Sequence, residues 1–181
     1  MAQYFNITGE LTQRLLAPDN NVGISQISLT NIQNVSKCKV DLYIEKALVG
    51  KFYLLKGVEL PTGTTLIYDD IKLNSVAKRF GLYIKLTDGA TFTLTGSIDV
   101  TGTNTAVPGT STLYTSEISV GDEIVVSGET RTISSITGDR TAVVSAAWGS
   151  DLANDASPDC NPTALVDVII NYYEMDRPTY I

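Results

Sequence analysis

The chain has 181 residues, 43% of them hydrophobic, with a formal net charge of −7, two cysteines and no histidine. That length fits one large or two small globular domains able to bury a core without staples. The missing histidine excludes a Ser-His-Asp triad and a histidine-bound zinc, two cysteines make no disulfide framework, no run reaches the roughly 20 apolar residues of a membrane helix, and Met1 to Asn6 lack the order of a secretory signal.

Residues 1–20 read as an arm. Residues 8–16 fit one or two helical turns with Leu11, Leu15 and Leu16 on one side, or an extended segment, and Gly9 weakens the helix. Residues 18–21 read as a turn, 24–30 as the first strand and 31–36 as a polar connection. Over 37–45 the alternation is nearly perfect. Cys38, Val40, Leu42 and Ile44 share one face, and Lys37, Lys39, Asp41 and Glu45 the other, as in a half-buried strand. A hairpin around 47–50 leads to a strand over 51–56; Pro61 with Gly63 marks a turn, and 65–68 is a further strand. Asp69-Asp70 marks a bend and 71–78 is irregular. Phe80, Leu82, Ile84 and Leu86 alternate inward on a strand over 79–86, and Asp88-Gly89 predicts a hairpin turn whose partner strand is 165–173.

That partner arrives only after a Thr/Ser/Gly-rich stretch, so the hairpin is read as carrying an insertion. The insertion's expected strands are 91–101, 111–114, 123–127, 129–136 and 140–146, with tight turns at Ser127-Gly128 and Gly138-Asp139. Residues 120–126 are a loop running into a buried strand, 147–162 a return linker and 175–181 a short tail. No helix of ten or more residues is expected. The fold class is all-β: an antiparallel β-sandwich, jelly-roll or immunoglobulin-like, with a small β-barrel-like domain inserted in a hairpin. The sandwich is discontinuous, 1–92 and 161–181, and the insert spans 93–160.

Charge follows the same division. Residues 93–160 hold nine acids and two arginines, a net −7, and the flanking parts hold eleven acids and eleven bases. A lysine-free acidic module repels phosphate backbones, which argues against nucleic acid as a partner.

No catalytic, cofactor-binding or metal-binding residue is nominated, and the chain is read as not an enzyme. Asp69-Asp70 and Asp122-Glu123 are sequence neighbours, so on strands they point to opposite faces, and as loop acids they are expected to be solvated. Asp151, Asn154, Asp155, Asp159 and Asn161 make an oxygen-rich loop read as a solvated linker, with calcium as the alternative, because the EF-hand spacing and its glycine are missing. Phosphate-cradling and nucleophile-elbow motifs are absent. Cys38 is expected to be a small buried hydrophobe and Cys160 to lie in a loop, unbridged. Tyr43, Tyr53, Tyr68, Tyr83, Tyr172 and Tyr173 lie on or beside expected strands, with Tyr43 and Tyr83 on outward faces. They fit ordinary cross-strand pairing or a tyrosine docking surface. Trp148 is expected to plug the inserted barrel, with a carbohydrate platform as the alternative.

The outer domain resembles small structural proteins of tailed bacteriophages, including those of cyanophages. The resemblance is carried by Ile27-Ser-Leu-Thr-Asn31, Val40-Asp-Leu-Tyr-Ile44, the run from Tyr53 through Pro61-Thr-Gly-Thr-Thr65 to Leu66, and Val166-Asp-Val-Ile-Ile-Asn-Tyr172. The insert is similar to a module of phage tail and fibre proteins, through Thr95-Gly-Ser-Ile98, Val107-Pro-Gly-Thr-Ser-Thr-Leu113, Ile118-Ser-Val-Gly-Asp-Glu-Ile124 and Gly128-Glu-Thr-Arg-Thr-Ile133. The resemblance implies a virion structural protein with no cofactor, docking through the sandwich onto other capsid, neck or tail proteins and onto copies of itself. Capsid decoration is the favoured role. A tail or neck accessory, or a fibre module binding host-surface glycan, is the alternative. Neither nucleic acid nor membrane is expected as a partner.

Overall fold

The computed structural model describes residues 1–18, 22–69, 71, 73–74 and 80–175. The expected turn at 18–21, the second acid of the 69–70 pair, most of 71–78 and nearly all of the 175–181 tail fall outside the described residues. In chain order the strands begin β1 (Ala2–Thr8), β2 (Thr12–Leu16), β3 (Val22–Asn31), β4 (Cys38–Lys46), β5 (Gly50–Leu60), β6 (Thr65–Tyr68), β7 (Leu73–Asn74) and β8 (Phe80–Thr87). There follow β9 (Phe92–Thr93), β10 (Ser97–Val100), β11 (Ala106–Thr110), the helix α1 (Tyr114–Glu117), β12 (Glu123–Val126), β13 (Glu129–Gly138), β14 (Thr141–Val144), β15 (Leu152–Asp155), β16 (Asp159–Asn161) and β17 (Leu165–Glu174). The chain divides into two units. Unit 1 comprises Met1–Ile32, Lys37–Thr87 and Ala164–Ile181, and unit 2 comprises Gln33–Ser36 and Asp88–Thr163.

Unit 1 is a sandwich of two antiparallel sheets, β1-β17-β3-β6 with β7 on β3, and β2-β8-β4-β5. Its residues form these strands because apolar side chains recur every second position. Val166, Val168 and Ile170 on β17 and Ile27 and Leu29 on β3 meet Val40 and Leu42 on β4 and Leu82, Ile84 and Leu86 on β8 in one core. The N-terminal arm is extended, not helical. β1 pairs with β17 and β2 with β8, and Ile7, Leu15 and Leu16 are buried. The turn at Pro61 also forms: Gly63 takes φ 63, and the buried Asn31 fixes it, donating from Nδ2 to the Leu60 carbonyl at 2.9 Å and accepting from the Gly63 N–H at 3.0 Å.

The expected hairpin of residues 79–86 with 165–173 does not form. β8 pairs with β2 and β4, whereas β17 pairs with β1 and β3 in the other sheet. Asp88-Gly89 is therefore an exit from one sheet, not a turn between neighbours. The seams fall at 87/88 and 163/164, against the expected 93 and 160, and the polar connection 33–36 belongs to unit 2.

Unit 2 has eight strands in the order β15-β10-β11-β14-β13-β12-β16-β9, an open path that closes no barrel. Two hairpins organise it. Ser127 (φ 47) and Gly128 (φ 88) make the two-residue turn between β12 and β13, the left-handed pair that matches strand twist. Asp139 and Arg140 join β13 to β14. The expected strand over 91–101 is split into β9 and β10, and the expected strand at 111–114 is displaced by α1. There Asp139 accepts from the Tyr114 N–H at 3.2 Å through its carbonyl and from the Thr115 N–H at 3.2 Å through its carboxylate, fixing the helical turn. The expected linker 147–162 contains β15 and β16. These strands are too short for a periodicity to be visible. Unit 2's core includes Ile98, Val107, Tyr114, Ile124, Val126, Ala142, Trp148 and Cys160.

Replacing Ile84, which is fully buried in the sandwich core, with alanine should lower stability by roughly 2–5 kcal/mol through lost burial and a residual cavity. Urea denaturation followed by far-UV dichroism measures it; a loss below about 1 kcal/mol contradicts the core assignment.

Candidate docking faces

The outer face of the β1-β17-β3-β6 sheet carries an apolar row. The register aligns Tyr4, Ile169, Ser28 and Ile67 across the four strands. Tyr4 is 74%, Ile169 37% and Ile67 55% exposed. The flanking rung on one side is Asn6, Asp167, Thr30 and Thr65. Asn6 Nδ2 donates to Asp167 Oδ1 at 2.8 Å, and the Thr30 and Thr65 hydroxyls are 3.0 Å apart. On the other side, Asn171 Nδ2 donates to Gln26 Oε1 at 2.7 Å. Asp167 is the single charge among these side chains, and it is already hydrogen-bonded. A face depleted in charge, with aromatic and aliphatic side chains left in water, has the composition of an interface core. Tyr173, half exposed, lies against Gly23, where any Cβ would collide with its ring.

The outer face of β2-β8-β4-β5 differs. Arg14, Tyr83, Tyr43 and Tyr53 form one rung. The Tyr43 and Tyr83 rings stack at 5.6 Å, and Tyr43 and Tyr53 tilt at 5.4 Å. Lys51 Nζ lies 4.6 Å from the Tyr43 ring centre and 3.4 Å from its hydroxyl, and Lys56 Nζ lies 4.3 Å from the Tyr53 ring centre. The Tyr43 hydroxyl raises the Lys51 pKa above its ordinary value. Arg14, Lys37, Lys39, Lys51, Lys56 and Lys85 stand on this side against Asp41, Glu45 and Glu59, a net +3 from six bases and three acids. Asp41 accepts the Gly57 N–H at 2.6 Å, and Glu59 pairs with Lys37 at 2.9 Å. Tyr43 and Tyr83 face outward as expected, and pair across strands. Tyr68 and Tyr172 pack against the core of unit 1.

In unit 2, Asp122 is fully buried, contrary to the expectation of a solvated loop acid. Its Oδ1 accepts from Gln33 Nε2 at 2.8 Å and from the Thr163 N–H at 2.9 Å, and its Oδ2 accepts from the Ser119 N–H at 2.8 Å. Gln33 Nε2 also donates to the Thr163 carbonyl at 3.0 Å. One carboxylate thus gathers three separate stretches of chain: 33, 119 and 163. The Cys160 thiol lies 3.9 Å from Oδ2. Burial pushes the Asp122 pKa up against these hydrogen bonds, and burial with the Asp122 charge pushes the Cys160 thiol up. Cys160 is buried on β16, not in a loop, and neither cysteine is in a disulfide.

Trp148 is 2% exposed and lies in the unit 2 core, so it offers no platform for a sugar. Arg131 covers it, with its guanidinium carbon 5.5 Å from the ring centre, Nε on the Ala147 carbonyl at 2.9 Å and a 2.9 Å pair to Glu129. Glu129 accepts from the Gly149 N–H at 2.9 Å, which holds its carboxyl below the ordinary range. The oxygen-rich loop residues are engaged separately. Asp151 accepts from the Gly102 N–H, Asp155 from the Ser127 and Ser157 N–H groups, Asp159 from Thr93 and Asn161 from Thr91. Among the described residues no group of three acids or cysteines is spaced to hold a metal ion.

No family model matches this chain, and no curated protein sequence matches it. Among solved structures, a chain from the structure of infectious bursal disease virus, Gx strain, aligns with 98% of this chain at 10% identity and a TM-score of 0.21. This chain spans 37% of that one, and a TM-score of that size defines no common fold.

Two measurements test these local structures. Asp122→Ala removes the acceptor of three hydrogen bonds and should cost roughly 1–3 kcal/mol at neutral pH, partly offset by removal of the buried charge. Because the folded pKa of Asp122 is raised, the native state holds this proton more tightly than the unfolded chain does. Its stabilising contribution is complete below the ordinary value of 3.8 and declines as pH rises through the folded value. The stability advantage of wild type over Asp122→Asn should therefore shrink as pH rises from 3.8 through the folded value and level off above it. A gap that widens contradicts the assignment. Separately, Arg131→Ala should red-shift the emission of Trp148, the sole tryptophan; unchanged emission would show that Arg131 does not shield the ring.

Proposed function

We propose that this chain is a non-enzymatic structural protein of a tailed-bacteriophage virion, present in several copies and acting in capsid decoration. Unit 1 docks on a neighbouring virion protein and carries the acidic unit 2. The observation that supports this most is the outer face of β1-β17-β3-β6, where Tyr4, Ile169 and Ile67 stand exposed in a nearly uncharged field. Such a face suits a protein partner and gives nothing to a phosphate backbone. The strands that resemble phage structural proteins run through β3, β4, β5 and β17. β3 and β17 belong to the sheet that carries this face, and β4 and β5 to the other. Many copies on a symmetric particle add weak contacts through avidity. The alternative of a fibre module binding host glycan through Trp148 loses its contact residue, which is buried.

The test uses virions depleted of this protein. Added wild-type protein should co-sediment with them, and the double variant Ile67→Lys/Ile169→Lys should bind at least about thirtyfold more weakly, the loss expected for a central hot spot. Both positions are exposed, so the melting temperature should change little. Undiminished binding of a folded double variant contradicts docking through this face.

A further inference from the structure

We propose that the outer face of the β2-β8-β4-β5 sheet binds the acidic unit 2 of a second copy of this chain. This deepens the structural reading above by naming one partner, and its test is independent of particle binding.

The inference starts from where the charges lie. Unit 2 holds ten acids and two arginines, a net −8, while unit 1 holds ten acids and eleven bases, a net +1. Within unit 1 the positive excess gathers on one sheet face, at net +3. Two of that face's three carboxylates are already engaged, Asp41 by the Gly57 N–H and Glu59 by Lys37. The ammonium groups of Lys51 and Lys56 rest on tyrosine rings rather than on carboxylates. A cation so placed is held in position, and it keeps its charge for an incoming anion. Beside these lysines Tyr53, 42% exposed, supplies flat contact area with little rotamer freedom left to lose.

Unit 2 supplies the complement. It contains no lysine, and Arg131 is committed to Glu129. Asp99 and Glu123 are exposed on β10 and β12. The two halves of the contact belong to different units of the same chain, so the association is heterologous: each copy offers one unit and receives the other. Attraction between the patches also speeds encounter and weakens with salt.

Sedimentation of the intact chain tests this. Wild type should self-associate at about 0.01 M salt and dissociate at about 0.15 M, as the screening length falls from about 30 to about 8 Å. Lys51→Glu/Lys56→Glu removes the basic face, and Asp99→Lys/Glu123→Lys weakens the acidic one. Each double variant alone should be monomeric. Mixed at low salt, the two should form a one-to-one heterodimer, because one retains the acidic unit 2 and the other the basic face. Dichroism and melting curves verify that the variants are folded, and the salt titration of wild type needs no variant. A wild type that stays monomeric at low salt, variants that associate as well as wild type, or a mixture that fails to pair overturns the proposal.

Discussion

Unit 1 depends on the pairing of β17 between β1 and β3. This strand is the last among the described residues, after the whole of residues 88–163, yet it lies between two others in its sheet. Its alternation serves both sides at once. Val166, Val168 and Ile170 fill the sandwich core, while Asp167, Ile169 and Asn171 build the outer face. A slip of one residue would exchange those sets, burying Asp167 and exposing the valines, so the register is strongly specified by burial alone. The pairing of Ala2 with Asn171 joins opposite ends of the chain. Contacts so distant in sequence carry the full cost of loop closure before they contribute, which makes β17 docking the expected slow step of folding.

The distribution of polar groups follows from the same economy. The outward rungs of β1-β17-β3-β6 satisfy one another through side-chain hydrogen bonds, Asn6 to Asp167 and Asn171 to Gln26. Little unpaired charge remains there to oppose a partner. The other sheet keeps its charges but lays two lysines over tyrosine rings. In unit 2 the one fully buried acid is not an accident of packing. Asp122 accepts three hydrogen bonds and ties residue 33 to residues 119 and 163, so a group that is costly to bury unpaired becomes a fixing point.

Strong periodicity was legible in the sequence. The strands over 37–45, 79–86 and 165–173 follow directly from alternating apolar residues, as do the turns at Pro61 and Ser127-Gly128 from their chemistry. Pairing was not. Asp88-Gly89 has the composition of a hairpin turn, but which strands become neighbours is decided by the packing of the two sheets, which no local signal carries. The arm over 1–16 was ambiguous because Leu11, Leu15 and Leu16 fit a helix. The alternation of Tyr4, Phe5, Asn6 and Ile7 was the better signal, and it would have exposed Tyr4 as an outward residue. The acceptor role of Asp122 was hidden for a different reason. Next to Glu123 and after Gly121 it has the look of a loop acid, and its acceptor role depends on residues up to 89 positions away.

Imaging of the intact virion at side-chain detail tests docking through the uncharged face most directly. Tyr4, Ile67 and Ile169 should be buried against a neighbouring protein of the particle. Finding the chain on the particle with those three side chains open to solvent, and another surface in contact, contradicts it.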